Sequence, residues 1–169
     1  ALEKESCKAK PINVRENNVI YVRQKSKELG YVGSTNRIDD KLIKNFIGKD
    51  FIPVIAPMGV DEKKQTYNIN ADTAAGALAI SVKSRRLLLM TDVEGVCDEN
   101  NKLISEIKST QAEKLIYDQT IHGGMIPKIR TCINAVNNDV RGVVIMDGRK
   151  PHSILFELFS DKGAGTLIR

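Results

Sequence analysis

The chain has no tryptophan, and aromatic residues make up 5% of its 169 positions. Binders of single-stranded nucleic acid stack bases on aromatic side chains, so this scarcity argues against that class. Cysteine is also sparse. Cys7, Cys97 and Cys132 stand far apart with no paired spacing, which excludes a zinc ribbon and a disulfide scaffold and suits a reducing compartment, the cytoplasm or a plastid stroma. His122 and His152 are the only histidines, and no serine or cysteine lies in a nucleophile motif beside them, so a hydrolase triad is not expected. Carboxylates do not pair at metal-ligand spacing, which speaks against a dedicated metal cage. No window reaches the apolar length needed to cross a bilayer, and no charged-then-apolar leader precedes Pro11; a soluble chain without a membrane partner is expected.

What is present is ordinary for a globular enzyme: 41% hydrophobic residues, 28% charged residues and 12 glycines. The length fits one domain with a sizeable core. The net charge of +5 comes from basic residues scattered along the chain, among them Lys8, Lys25, Lys44, Lys64, Arg86, Lys114 and Arg149, with acids between them. That pattern reads as a solvated, mildly basic surface and not as a nucleic-acid footprint.

From Ala1 to Glu28 the only apolar cluster is Val19 to Val22, so residues 1–28 are expected to be a poorly defined leading segment with at most a short edge strand. Leu42, Ile43, Phe46 and Ile47 follow Ile38-Asp39-Asp40 at amphipathic-helix spacing with an acidic cap. Phe51 to Ala56 predicts a strand, placed near its start or at an edge by Pro53. Asn70 to Val82 predicts a helix capped by Asn70, with Ala71, Ala74, Ala75, Leu78, Ala79 and Val82 on one face. Leu87 to Thr91 and Val143 to Met146 are apolar without alternation, as in strands buried on both faces. Helices are expected from Gln111 to Tyr117, from Pro127 to Val136, and from His152 to Phe159 with Pro151 as a first-turn residue. The alternation predicts an α/β fold: three layers, helices on both faces of a central, mostly parallel sheet.

Ligands of such sheets bind at the carboxyl ends of strands, which directs attention to three loops. In Tyr67-Asn68-Ile69-Asn70-Ala71-Asp72, Asp72 either complements the dipole of the following helix or anchors cations around a transferring phosphoryl group. In Thr91-Asp92-Val93-Glu94-Gly95-Val96, Asp92 and Gly95 supply either turn chemistry or a nucleotide pocket. In His122-Gly123-Gly124-Met125-Ile126-Pro127-Lys128, the paired glycines permit close backbone approach, and Pro127 opens a helix whose free amides favour an anion. Lys128 in that first turn opposes the dipole by a few tenths to about 1 kcal/mol unless it bends into solvent or a bound phosphate offsets the conflict.

Taken jointly and in order, Tyr67 to Gly76, Thr91 to Val96, Gly123 to Lys128 and Asp147-Gly148-Arg149 with Pro151-His152 resemble acetylglutamate kinase. Gly30-Tyr31-Val32-Gly33 and Ile52 to Pro57 extend the likeness over roughly Leu29 to Ile168. The resemblance implies a nucleotide-binding domain over residues 29–169. It implies an enzyme that phosphorylates the side-chain carboxylate of N-acetyl-L-glutamate with ATP and Mg2+ in arginine biosynthesis, as a homo-oligomer when complete. It also implies that Asn68 holds the amino-acid substrate, that Asp72 organises catalytic cations and that Lys128 stabilises charge on the transferring group. By the same resemblance, Asp92, Val93, Glu94, Gly95, Val96 and Cys97, with Thr120, Ile121 and His122, would line the nucleotide site. Glu157 and Gly163 match the effector contacts of arginine-inhibited members, but Val144 stands where those members have a histidine. Nothing before Leu29 resembles the family's glycine-rich amino-terminal loops, its second catalytic lysine or its substrate-gripping arginine. Two further readings therefore stand beside the kinase: a nucleotide-binding or assembly module without turnover, and another amino-acid kinase of the same family.

Overall fold

The computed structural model describes all 169 residues, Ala1–Arg169. It divides into two compact units, Ala1–Val82 and Lys83–Arg169, where the length alone suggested one domain.

The first unit opens with a 3-10 turn over Leu2–Glu5 and continues through β1 (Ala9–Ile12), β2 (Ile20–Gln24), β3 (Gly33–Ile38), α1 (Asp40–Ile47), β4 (Ile52–Ile55), β5 (Met58–Val60), β6 (Thr66–Asn68) and α2 (Ala71–Ser81). The cap on α1 is as expected: the Asp39 carboxylate accepts from the Leu42 amide at 3.2 Å. On α2 the Asn70 side chain accepts from Thr73 N at 3.0 Å, satisfying one of the amides that have no acceptor inside the helix. β1 and β4 form a two-stranded parallel sheet, so Pro53 sits near the start of an edge strand. The second sheet runs β3-β2-β5-β6. β2 is thus an interior strand, pairing antiparallel with β3 and parallel with β5 through Tyr21 and Val60, and not the edge strand that Val19 to Val22 suggested. A polar sequence conceals it: Val19, Ile20 and Val22 are buried while the exposed Arg23 and Gln24 complete the ladder with β3. These three apolar residues join Ile12, Ile43, Tyr67, Ile69 and Ala74 in the core of this unit, with Leu42 and Phe46 of α1, Leu78 of α2 and Val82 just after it at the margin.

The second unit contains β7 (Leu87–Thr91), β8 (Glu106–Ile107), α3 (Ser109–Tyr117), α4 (Met125–Asn137), β9 (Val143–Asp147), α5 (Ser153–Phe159) and β10 (Gly165–Ile168). Its sheet order is β7-β9-β10-β8, with β7/β9 and β8/β10 parallel and β9/β10 antiparallel. All of β9 is buried, as its unbroken apolar run requires. β7 has the same kind of sequence but lies at the sheet's edge, and only Leu89 of it is buried. Two helix starts differ from expectation. α4 begins at Met125, because Gly124 adopts helical angles and carries the turn back by two residues. α5 begins at Ser153, because His152 has φ +60° and cannot continue a right-handed helix; Pro151 belongs to the preceding turn and not to the helix's first turn. No helix is long and apolar enough to cross a membrane.

Candidate functional site

In the first unit, Asn68 ends β6 with its side chain exposed. Its amide donates to the Tyr31 carbonyl at 2.9 Å, and it bridges Val32 in parallel fashion. The ring of Tyr31 lies 6.0 Å from that of Tyr67. The Gly30–Gly33 segment and the Asn68 segment, distant in sequence, are therefore neighbours. Asp72 lies in the first turn of α2, two residues beyond the Asn70 cap. A carboxylate here is favoured by the helix dipole, so a structural role and a cation-holding role share one position.

In the second unit, β7 and β9 run parallel with Thr91 opposite Asp147, and both strands therefore deliver their following loops to the same end of the sheet. The Gly148 amide donates to the Thr91 carbonyl at 2.8 Å. Thr91 Oγ1 donates to the Asp92 carboxylate at 3.1 Å, and Glu94 pairs with Lys150. Asp147, only 4% exposed, is gripped by Arg149, whose Nε and terminal nitrogen each donate to one carboxylate oxygen at 2.9 Å while its amide adds a third bond. Those hydrogen bonds, chiefly from the Arg149 side chain and then its amide, hold the Asp147 carboxyl at about 2, well below the usual carboxylate range. In return Asp147, with Asp92 and Glu94 further off, pushes the Arg149 guanidinium upward. This end of the sheet is thus a rim of three carboxylates and two cations beside the Asp92–Cys97 loop.

The loop itself is fixed from below. Gly95 has φ +149°, and a Cβ there would come within 2.5 Å of Thr166 Oγ1, so only glycine fits. Thr166, fully buried on β10, accepts from the Val96 amide at 2.8 Å and donates to the Ile104 carbonyl at 2.6 Å. Val93 and Cys97 are half-buried, and Asp92 and Glu94 are exposed.

Thr120, Ile121 and His122 join α3 to α4, which pack against each other. Ile121 is buried and its amide donates to Leu115 O at 2.9 Å; His122 is exposed. At the start of α4 the amides of Met125 and Ile126, expected to be free, donate to the His122 and Gly123 carbonyls at 3.3 and 3.2 Å. Pro127 has no amide to offer, so the donors left for an anion are those of Gly123 and Gly124. Gly123 has φ +56°, and a Cβ at either glycine would meet nothing within 4 Å. The paired glycines thus present backbone to open space. Lys128 follows at the fourth helical position, partly buried.

Glu157 and Gly163 are also brought together, at a cavity of about 560 Å³ that Arg86, Ser160 and Gly165 help to line, formed by α5 and β10 and not by the Asp92–Cys97 loop. Glu157 is buried. One of its oxygens accepts from Arg86 at 3.2 Å, the other from the Ala164 amide at 2.9 Å. Gly163 has φ +67°, and a Cβ there would lie 2.7 Å from the Glu157 carboxylate. Val144 is fully buried in β9. Sequence reasoning missed Arg86, which it counted among scattered surface charges, and gave Thr166 and Arg149 no structural role. Only the Asp-Gly-Arg spacing offered a local signal, since Arg86 and Glu157 are 71 positions apart.

Known proteins place this arrangement. Over all 169 residues the chain is 54% identical to an acetylglutamate kinase of Pelagibacter ubique (strain HTCC1062), and it spans 59% of that relative's length. The structure of smu.665 from Streptococcus mutans UA159 is similar with a TM-score of 0.83 at 30% identity, over 99% of this chain and 63% of that one. A carbamate kinase from Giardia lamblia, bound to AMP-PNP, shares the fold with a TM-score of 0.73 at 19% identity, over 99% of this chain and 64% of that one. The sequence model of the amino acid kinase family matches residues 1–147, and the chain belongs to that family.

Proposed function

We propose that this chain carries the nucleotide-binding and phosphoryl-transfer part of an acetylglutamate kinase, which uses ATP with Mg2+ to phosphorylate the side-chain carboxylate of N-acetyl-L-glutamate in arginine biosynthesis. The observation that carries this reading is the 54% identity to an acetylglutamate kinase along the whole chain. The nucleotide-binding domain is proposed over residues 29–169, a span that takes in part of the first compact unit and all of the second, where the nucleotide loops lie. The bacterial source of that relative favours cytoplasm over plastid stroma, and assembly into a homo-oligomer belongs to the same proposal.

Bound nucleotide supplies the phosphoryl group, and its magnesium needs few protein ligands beyond the phosphates. The open backbone at Gly123 and Gly124 fits an anionic ligand at the start of α4. Phosphoryl transfer depends on positioning and on stabilising charge more than on covalent help from the protein. In this reading Lys128 offsets charge on the transferring group, Asp72 orients cations, and Asn68 holds the amino-acid substrate. Asp92 to Cys97 and Thr120 to His122 receive the nucleoside end. Thr166 keeps the first of those loops in place from beneath. Arginine as an effector would have to displace an internal guanidinium, because Arg86 already occupies Glu157.

Calorimetry of the purified chain with MgADP and MgATP tests the assignment. Saturable binding to folded protein is expected, and its absence would overturn the nucleotide site. A binding or assembly module without turnover is the second reading; the chain spans 59% of its relative's length. An ADP-release assay with N-acetyl-L-glutamate separates the two: turnover by the chain alone near that of a complete kinase would exclude the second reading.

A further inference from the structure

Three cations of the second unit meet at one cavity with too little in the protein to balance them. The cavity, of about 680 Å³, is lined by Lys83, Arg85 and Arg141, with Asp139 and the apolar Val136 and Val140 completing most of its wall. That volume is in the range of small-molecule sites. It lies at the end of the sheet opposite the Asp92–Cys97 loop. β7 and β9 run parallel with Leu87 beside Val143, and the Leu87 amide donates to the Gly142 carbonyl at 3.1 Å, so the segments that lead into the two strands are neighbours. The length of β7 separates this cavity from Asp92 by roughly 15 Å.

Arg85 and Arg141 each stand two residues ahead of their strand, and both are exposed. Two guanidinium groups brought to one cavity by neighbouring segments repel each other, as like charges on paired strands do. Other basic residues of this unit have carboxylate partners: Arg86 has Glu157, Arg149 has Asp147, Lys150 has Glu94 and Arg169 has Glu106. Lys83, Arg85 and Arg141 make no ion pair and no side-chain hydrogen bond, and neither does the Asp139 carboxylate. The carboxyl end of α4 does not call for them. The Ala135 carbonyl accepts from the Asn138 and Val140 amides, the Val136 carbonyl from the Asp139 amide, and the Asn134 carbonyl from the Asn138 side chain. The carbonyls that a helix end leaves open are thus largely satisfied without a cation.

We propose that this cavity binds a small anion carrying two or more phosphate groups, gripped by Arg85 and Arg141 with Lys83 as a third positive charge. Guanidinium groups recognise phosphate through paired hydrogen bonds, and lysine acts on it as a point charge. Three cations against the single carboxylate of Asp139 leave the lining at +2, and the cations come from two separate segments. A ligand with phosphate at both ends answers both segments at once. The nucleotide loops lie at the far end of the sheet, so this site stands or falls separately from them.

The test titrates sodium tripolyphosphate into the purified chain, followed by backbone amide NMR and by calorimetry. Saturable binding that shifts the amides of residues 83–86 and 139–142 is expected. Arg85→Gln with Arg141→Gln should weaken that binding about tenfold or more. Lys25→Gln with Lys114→Gln removes the same charge from exposed positions outside the cavity and should change it by less than about twofold. Inorganic phosphate should bind at the same residues about tenfold or more weakly than tripolyphosphate. Without anion the arginine variant should melt no lower than the parent, because a like-charge contact has been removed, and tripolyphosphate should raise its melting temperature less than the parent's. The proposal is overturned if the amides of residues 83–86 and 139–142 do not shift, if both double variants weaken binding equally, or if inorganic phosphate binds as tightly as tripolyphosphate. Shifts confined to Gly123 and Gly124 would also overturn it while supporting an anion at the start of α4. The NMR map of the parent needs no variant, so the proposal remains testable even if the arginine variant fails to fold.

Discussion

Replacing Thr166 by valine isolates the hydroxyl that supports the Asp92–Cys97 loop. The side chain is fully buried, so its shape is kept while its acceptor for Val96 N and its donor to Ile104 O are removed. The Val96 amide, on a residue 2% exposed, then loses its partner where water does not readily reach it. An orphaned buried donor costs about 1–3 kcal/mol and the second lost bond about 1 kcal/mol more, so Thr166→Val should destabilise this unit by about 2–4 kcal/mol. Thr166→Ser keeps the hydroxyl and loses one buried methyl, at about 1 kcal/mol. Native-state hydrogen exchange of the β9 and β10 amides reads the difference in the unit concerned. For amides that exchange through global opening, Thr166→Val should accelerate exchange roughly 30- to 800-fold and Thr166→Ser by about fivefold. MgADP affinity should fall in the same order. A valine variant within about 0.5 kcal/mol of the parent, the range of an ordinary surface change, or a serine variant worse than the valine one, would refute the role given to this hydroxyl.

In a chimera joining this chain to the remainder of the Pelagibacter kinase, Lys128→Ala should lower kcat by on the order of a hundredfold with little change in KM; near-normal turnover would make Lys128 a structural residue. Asp72→Asn in the same chimera should lose rate while the melting temperature holds, whereas a pure helix-dipole role would reduce stability by a fraction of a kcal/mol and leave the rate alone. Asp147 has its carboxyl at about 2 against an ordinary 3.8, so its stabilising contribution is fully present above about pH 4 and is lost as the pH falls through about 2; Asp147→Asn should flatten that part of an acid-unfolding curve, and an unchanged curve would count against the Arg149 grip. Glu157→Ala leaves Arg86 and the Ala164 amide without the acceptor they share and should cost about 1–3 kcal/mol in urea unfolding, with no loss expected if the carboxylate is incidental.

The helices were legible from their apolar spacing, and the starts of α1 and α2 from local caps, whereas α4 and α5 start elsewhere than expected. Asp39 before Leu42 and Asn70 before Thr73 are caps written within a few residues, and the apolar spacing after them is regular. β7 and β9 were legible as apolar runs. The strands that were not legible are short or polar and owe their existence to partners elsewhere: β3 is Gly-Ser-Thr-Asn-Arg-Ile, β5 spans Met58–Val60, and β8 pairs with β10 from some sixty positions away. The division after Val82 has no proline-rich or glycine-rich signature to mark it. At the candidate site the loops could be located from turn and glycine chemistry, but the groups that hold them could not. Thr166 and the Arg86–Glu157 pair act across 70 and 71 positions, and neither leaves a mark in its own neighbourhood.

Strand β10 faces in two directions. Gly165 and Leu167 line the cavity beside Glu157, while Thr166 between them holds the Asp92–Cys97 loop by the Val96 amide. Side chains alternate along a strand, so a ligand that wedged the cavity open could not push on one set of contacts without carrying the other. At 2.8 and 2.6 Å the bonds of Thr166 have little slack, and a lengthwise slide of β10 by even half an ångström would stretch or compress them. One short strand thus serves both places: the residues that shape the cavity wall and the residue that anchors the loop are consecutive in the chain.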